Sequence, residues 1–224
     1  MSVIANNIIS LKKQIPLSVK LVAVSKTMPA EEILEAYNSG QRIFGENKVQ
    51  ELISKKDMLP PDIEWHLIGH LQTNKVKQIV PFISMIQSVD SFKLLRVINT
   101  EAGKINRQID SLLQFYIASE ETKSGFSMGK VTEMLDSPEF KTMKNVRIRG
   151  VMGMATFTDD MEQVRNEFRN LSECFRKLKS LYFKEDDHFN EISMGMSGDY
   201  GIAIEEGSTI IRIGSIIFGE RKKF

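Results

Sequence analysis

The sequence predicts an α/β fold, a single eight-stranded parallel (β/α)8 barrel of the TIM type with an extra N-terminal helix. Short apolar segments alternate with helical patterns along all 224 residues. An open doubly wound sheet is the alternative, and such a sheet usually carries a glycine fingerprint after its first strand. Ser25-Lys26-Thr27 occupies that place here. The missing fingerprint therefore favours the closed barrel.

Hydrophobic periodicity assigns the elements in order. Residues 3–13 form the extra helix, with Ile4, Ile8 and Leu11 on one face. Apolar runs predict strands at 21–26, 41–44, 64–68, 83–87, 112–117, 146–152, 189–193 and 209–213. Helical patterns between them predict helices at 30–37, 48–56, 92–102 and 161–181, and shorter ones around 76–79, 131–135 and 202–205. Each strand is thus followed by a helix or a helical turn.

Composition excludes several classes of function. Thirty basic and twenty-nine acidic residues give a net charge of +1, which argues against nucleic acid or an anionic membrane as a partner. No apolar segment is long enough to span a bilayer, and the N-terminus lacks the pattern of a secretion signal. A single cysteine excludes an internal disulfide and favours the cytoplasm. We expect a cytoplasmic, monomeric protein with one domain over residues 1–224.

Metal chemistry has little support in the sequence. His66 and His70 are four residues apart, but Gly69 lies between them and their segment begins as a strand, so helical pairing of ligands does not apply. Cys174 lies among apolar residues at helical spacing. It is predicted to pack in or near the core, and no metal is expected.

Lys26 is the first candidate functional residue. It ends the apolar run of the first strand, where desolvation disfavours a charged amine and lowers its pKa. A neutral lysine can attack an aldehyde and form a Schiff base. The structural alternative is a lysine that closes the strand and extends into solvent.

The strand ends provide the other candidates, because function in a parallel barrel gathers where strands end. Besides Lys26 they carry Asn47, His70, Ser119, Thr156, Ser197 and Gly214. Ser197 precedes a helical segment, and Gly214-Ser215 follows the eighth strand. Loops after strands seven and eight are the usual phosphate site of such barrels. Ser197 alone would suggest a helix cap, but together with Gly214 and Ser215 it predicts a phosphate site.

A lysine that forms Schiff bases, combined with a phosphate site, suggests pyridoxal 5'-phosphate as the cofactor. A sugar-phosphate aldolase is the competing interpretation, since it also uses a barrel lysine. Aldolase lysines usually lie on a later strand with acid and base residues nearby. Lys26 is on the first strand, and no carboxylate pair is evident next to it.

At this point the chain resembles the pyridoxal phosphate homeostasis protein family, the YggS-like relatives of the alanine racemase N-terminal domain. The motifs that carry the resemblance are Ala23-Val24-Ser25-Lys26, Phe44-Gly45-Glu46-Asn47, the segments 65–75 and 193–199, and Arg212-Ile213-Gly214 with Phe218-Gly219. They cover nearly the full length. Two segments depart from the common pattern, at Tyr116 and at Phe157.

The resemblance implies a cofactor held as a Schiff base on Lys26, with Asn47, Ser197, Arg212, Gly214 and Ser215 as further binding residues. The match of Arg212 in alanine racemases faces the pyridine nitrogen. The structural alternative is an arginine that pairs with a barrel carboxylate such as Glu191. Alanine racemases add a second domain with a tyrosine base, for which no room is expected here.

Family members are regarded as cofactor carriers or regulators of vitamin B6 and amino-acid homeostasis, without an established reaction. We therefore expect no catalytic residue, and the resemblance implies pyridoxal-phosphate-dependent apoenzymes as partners. The alternative is a small amino-acid racemase or related enzyme that uses Lys26 as its base.

Overall fold

A computed structural model describes residues 2–118 and 125–219 and shows a closed parallel barrel in which each strand pairs with the next along the chain. The first strand also pairs with the eighth, in a register that runs from Lys20 opposite Ile210 to Ala23 opposite Ile213. The strands are β1 Lys20–Val24, β2 Ile43–Glu46, β3 Glu64–Leu67, β4 Met85–Val89, β5 Ile109–Gln114, β6 Val146–Met152, β7 Glu191–Ser193 and β8 Ile210–Ile213. The predicted barrel is confirmed.

Helices surround the barrel, and a helix precedes the first strand as predicted. They are α1 Val3–Gln14, α2 Ala30–Asn38, α3 Val49–Lys56, α4 Val76–Ile79, α5 Phe92–Gly103, α6 Met128–Asp136, α7 Pro138–Lys141, α8 Met161–Tyr182, α9 Tyr200–Glu205 and α10 Ser215–Phe218. Short polar residues begin several of them: Ser2 caps α1, Ser91 caps α5 and Asp160 caps α8 through side-chain bonds to first-turn amides. No helix in the described ranges is both long and apolar enough to cross a membrane.

Two apolar layers hold the barrel together. The larger lies between the strands and the helices, and Cys174 packs against it while partly buried, as the sequence predicts. The smaller fills the inside of the barrel and consists of Val22, Met85, Leu112, Met152 and Ile210. Side chains two residues further along a strand point to the same side. Gln87 and Arg212 follow Met85 and Ile210 in this way, so the interior becomes polar towards the carboxyl ends of the strands.

The structure shifts several predicted strand limits. The fourth strand begins at Met85 instead of residue 83, because the amide of Ile83 still bonds to Ile79 and extends the helical turn. The fifth strand spans Ile109–Gln114 instead of 112–117. Its polar start was missed because Asp110 looks like a loop residue, yet Arg147 and Arg149 pair with it in the sheet. The first strand ends at Val24, so Lys26 lies in the turn beyond it. Helix α7 was not predicted.

Candidate functional site

A cavity of about 690 Å³ opens at the carboxyl ends of the strands. It is lined by all six residues that the sequence marks for a cofactor: Lys26, Asn47, Ser197, Arg212, Gly214 and Ser215. His70 lines it as well, whereas Thr156 does not, and Ser119 lies outside the described residues. The barrel topology therefore brings residues from β1, β2, β7 and β8 to one place.

The turn that carries Lys26 is held by backbone contacts on both sides. Ser25 is fully buried, and its amide donates to the carbonyl of Gly45 at 3.0 Å. Thr27 has a φ of 66°, an unfavourable value for a residue with a Cβ. Its amide donates to Glu51 Oε2 on α3 at 2.7 Å. Such strain persists only where neighbours enforce it, and here it fixes the position of the partly buried Lys26.

A buried ion cluster lies behind this turn. Lys55 Nζ donates to the carbonyl oxygen of Ser25 at 3.0 Å and to Glu46 Oε1 at 2.8 Å, and lies 3.3 Å from Glu51 Oε2. Glu46 is fully buried, and its Oε2 has no hydrogen-bond partner among the described residues. Burial raises the pKa of Glu46, although Lys55 and Ser25 oppose that rise. Lys55 therefore connects two carboxylates to the residue that precedes Lys26.

Asn47 is placed by a close approach between two strand ends. A Cβ added to Gly69, just beyond β3, would lie 2.4 Å from the carbonyl oxygen of Asn47 and 2.8 Å from its Cα. Only glycine permits this contact. The carbonyl of Gly69 also accepts a bond from Ser88 Oγ at 2.6 Å, which ties β4 to the same corner.

Two loops form the side of the cavity predicted for phosphate. Ser197 and Gly198 lie after β7, and Gly214 and Ser215 lie after β8. The first backbone amides of a helix find no carbonyl partner inside that helix. The amides at the start of α10 can therefore donate to a bound group. A Cβ at Gly214 would lie 3.3 Å from the carbonyl oxygen of Val24 and would narrow the cavity at this wall. The arrangement can hold an anion through backbone amides and hydroxyls.

Arg212 forms the floor of the cavity and is nearly fully buried. Its Nη1 donates to Ser193 Oγ at 2.6 Å and its Nη2 to the carbonyl of Gly153 at 2.9 Å. Burial lowers the pKa of Arg212 to about 10, so the side chain stays charged at neutral pH. Glu191 is not its partner, because Glu191 pairs with Lys20 and Arg149 at the opposite end of the barrel. The carboxylate that acts on Arg212 is Asp199 in the cavity lining, whose charge opposes the fall in the pKa of Arg212.

The sequence marks His70 as a strand-end candidate, but its pairing with Asp90 in the same cavity was not predicted. His70 Nδ1 lies 2.9 Å from Asp90 Oδ2, and both residues line the wall. A signal was available, because His70 and Asp90 follow the ends of the neighbouring strands β3 and β4. The pair places an imidazole and a carboxylate on the cavity wall. No group of three or more potential metal-ligating side chains was found within the described ranges.

The two departures from the family pattern lie in different places. Phe157 lines the cavity mouth, and the residue is 98% exposed. Met154, in the same segment, also lines the wall. Tyr116 is 37% exposed and is not part of the lining. Of the two departing residues, Phe157 is therefore the one at the rim.

Comparisons with known proteins show which proteins this chain resembles. The family described as "Alanine racemase, N-terminal domain" matches residues 1–222. A pyridoxal phosphate homeostasis protein of Aquifex aeolicus is 41% identical over 91% of this chain and 87% of its own length. The human protein of that name is 39% identical over 90% of this chain and 76% of its own length.

Solved structures give the same result. PipY of Synechococcus elongatus, with PLP bound, superimposes with a TM-score of 0.87 at 37% identity. The match covers 96% of this chain and 100% of the PipY chain. An alanine racemase of Clostridium difficile has a TM-score of 0.75 at 12% identity and is covered over only 57% of its length. The racemase shares the fold of this chain, and at that identity nothing more follows.

Proposed function

The chain belongs to the alanine racemase N-terminal domain family, and within it to the pyridoxal phosphate homeostasis proteins, and we propose that it binds pyridoxal 5'-phosphate as a single barrel domain over residues 1–224. Its role is the intracellular homeostasis of this cofactor and, indirectly, of amino acids. The observation that carries the proposal is that one cavity combines Lys26, an anion-binding wall and a buried arginine.

The residues present fit this cofactor part by part. When bound, pyridoxal phosphate supplies an aldehyde and an electron-withdrawing pyridine ring. Lys26 offers the amine that would hold the aldehyde as a Schiff base. Ser197, Gly214 and Ser215 offer hydroxyls and amides for the phosphate. Asn47 lines the same cavity, next to the Lys26 turn, because β2 pairs with β1. It completes the proposed set.

Arg212 limits the chemistry that a bound cofactor would support. It does not by itself distinguish a carrier from a racemase, since its match in alanine racemases faces the same pyridine nitrogen. An arginine donates hydrogen bonds and accepts none, so a pyridine nitrogen facing Arg212 stays unprotonated. An unprotonated ring withdraws electrons less strongly, which disfavours transamination and decarboxylation of a bound amine. We propose no catalytic residue, because the similar proteins are named for homeostasis of the cofactor and not for a reaction. Apoenzymes that require the cofactor would be the partners of such a carrier.

A second candidate function follows from the His70–Asp90 pair. A small racemase or related enzyme needs a proton-transferring group in addition to Lys26. His70 meets that need, since it lines the same cavity. A turnover assay with a panel of L- and D-amino acids distinguishes the two functions. Racemisation that His70→Phe abolishes would establish the enzyme.

Trapping the cofactor on the protein tests the main proposal. The purified protein is incubated with pyridoxal phosphate, reduced with borohydride, digested and mapped by mass spectrometry. We expect one modified peptide, with the label on Lys26, since the cavity presents this lysine beside the anion-binding wall. Labelling of a different lysine would refute the assignment.

Gly214→Val is expected to weaken cofactor binding at least tenfold, about 1.4 kcal/mol. The added side chain would crowd Val24 and keep the phosphate away from the backbone amides. The dissociation constant is measured by titrating the cofactor absorbance. Gly201→Val serves as the control, because a Cβ there meets nothing within 4 Å and Gly201 lies outside the cavity. Equal affinities in the two variants would exclude Gly214 from the site.

A further inference from the structure

A chain of buried polar side chains crosses the inside of the barrel below the cavity. Arg212 Nη1 donates to Ser193 Oγ at 2.6 Å, and Ser193 Oγ donates to Gln87 Oε1 at 2.7 Å. Gln87 Nε2 lies 2.8 Å from His66 Nδ1. These four residues, on β8, β7, β4 and β3, are each at least 96% buried. We refer to them as the interior relay.

The direction of every hydrogen bond in the relay follows from its arginine end. Arg212 can only donate, so Ser193 accepts from it and keeps its own hydrogen for Gln87. Gln87 must then turn its oxygen to Ser193 and its amide nitrogen to His66. His66 Nδ1 is therefore the acceptor, and the ring hydrogen lies on Nε2. Burial lowers the pKa of His66 to about 3, which keeps the ring neutral.

Packing alone does not require these polar groups. The layer directly below is apolar and includes Met85 and Ile210, which lie two residues before Gln87 and Arg212 on the same strands. Buried polar groups are costly unless every partner is satisfied, and apolar side chains of similar size would fill the same space. The relay therefore needs a reason other than stability, and its upper end lies at the cavity floor.

We propose that His66, Gln87 and Ser193 are positioning residues that fix the guanidinium plane of Arg212 at the floor of the cavity. The guanidinium of Arg212 donates two hydrogen bonds, one to Ser193 on β7 and one to the carbonyl of Gly153 just after β6. Arginine has five N–H donors in a planar fork, so further donors remain for a ligand in the cavity. This inference rests on the proposed function, because the ligand positioned against Arg212 is the pyridine ring of pyridoxal phosphate.

The first measurement uses the unmodified protein without cofactor. Nitrogen-15 NMR of histidine-labelled protein reports which ring nitrogen of His66 carries the hydrogen, and we expect the Nε2–H form at neutral pH. An Nδ1–H form would overturn the relay. If the relay is correct but the unmodified protein binds no pyridoxal phosphate, then the proposed function fails and the relay's geometry stands.

The second measurement follows the cofactor in variants. Gln87→Leu leaves Ser193 without its acceptor, so we expect the cofactor's dissociation constant to rise about tenfold and the pyridine nitrogen-15 signal to shift. His66→Leu should act in the same direction, whereas His66→Gln keeps an acceptor for Gln87 and should behave like the unmodified protein. Met85→Leu, one layer below on the same strand, is the control.

The comparison of His66→Gln with His66→Leu separates positioning from packing. If His66 only filled space, cofactor binding would not depend on whether residue 66 can accept a hydrogen bond from Gln87. If Gln87→Leu does not fold, Ser193→Ala gives the same readouts with a smaller change. Folded Gln87→Leu or Ser193→Ala protein with unchanged affinity and an unchanged ring-nitrogen signal would overturn the proposal.

Discussion

Lys26→Ala is expected to abolish covalent attachment of pyridoxal phosphate and to weaken its binding about a hundredfold, or about 2.8 kcal/mol. The bond to the aldehyde is lost, while the anion-binding wall around Gly214 and Ser215 is retained. The fold should be unaffected, because Lys26 lies beyond β1 and its turn is held through the backbones of Ser25 and Thr27. Borohydride reduction followed by intact-mass measurement gives the covalent fraction, and an absorbance titration gives the affinity.

Lys93→Ala is the matched control for this prediction. Lys93 is an exposed lysine in the first turn of α5, at the same end of the barrel but outside the cavity. Removing it should change neither the covalent fraction nor the affinity. Full covalent labelling of the Lys26→Ala protein would contradict the proposed role of Lys26.

The location of the site could be predicted from the sequence because it depends on strand ends alone. In a closed parallel barrel every carboxyl end faces one side, so Lys26, Asn47, Ser197 and Gly214 had to converge once the strands were assigned. Errors of two or three residues in strand limits did not matter here. The residues concerned lie in the turns, and a turn remains at the same end of the barrel.

The interior of the site could not be predicted, because it depends on register and burial. Gln87 was predicted to end the fourth strand, but β4 continues to Val89, and Gln87 points into the barrel. Lys55 looks like an ordinary surface lysine of an amphipathic helix, since nothing in its spacing shows that Glu46 lies buried beside it. The partners of such residues come from distant parts of the chain.

The Glu46–Lys55 pair leads to the largest expected effect on stability. Lys55→Met removes the cation that neutralises a fully buried carboxylate and that also bonds to the carbonyl of Ser25. Breaking a buried ion pair from one side costs about 3–5 kcal/mol. Lys56→Met is the control, because Lys56 pairs with the exposed Asp57 and such surface pairs contribute about 1 kcal/mol or less. Urea unfolding at neutral pH measures both variants.

The pH dependence of Lys55→Met gives a sharper test. The pKa of Glu46 is already raised by burial, and without Lys55 two influences that lower it disappear, so it rises further. A carboxyl with a raised pKa in the folded state stabilises the fold most when protonated, below its unfolded value, and this contribution is lost as pH rises through the folded pKa. The stability deficit of Lys55→Met should therefore be smallest in acid and grow towards neutral pH.

The double variant Glu46→Gln/Lys55→Met removes the titrating group and should recover much of the loss with little pH dependence. A deficit that stays constant with pH, or a double variant less stable than Lys55→Met, would show that the buried carboxylate is not what Lys55 stabilises.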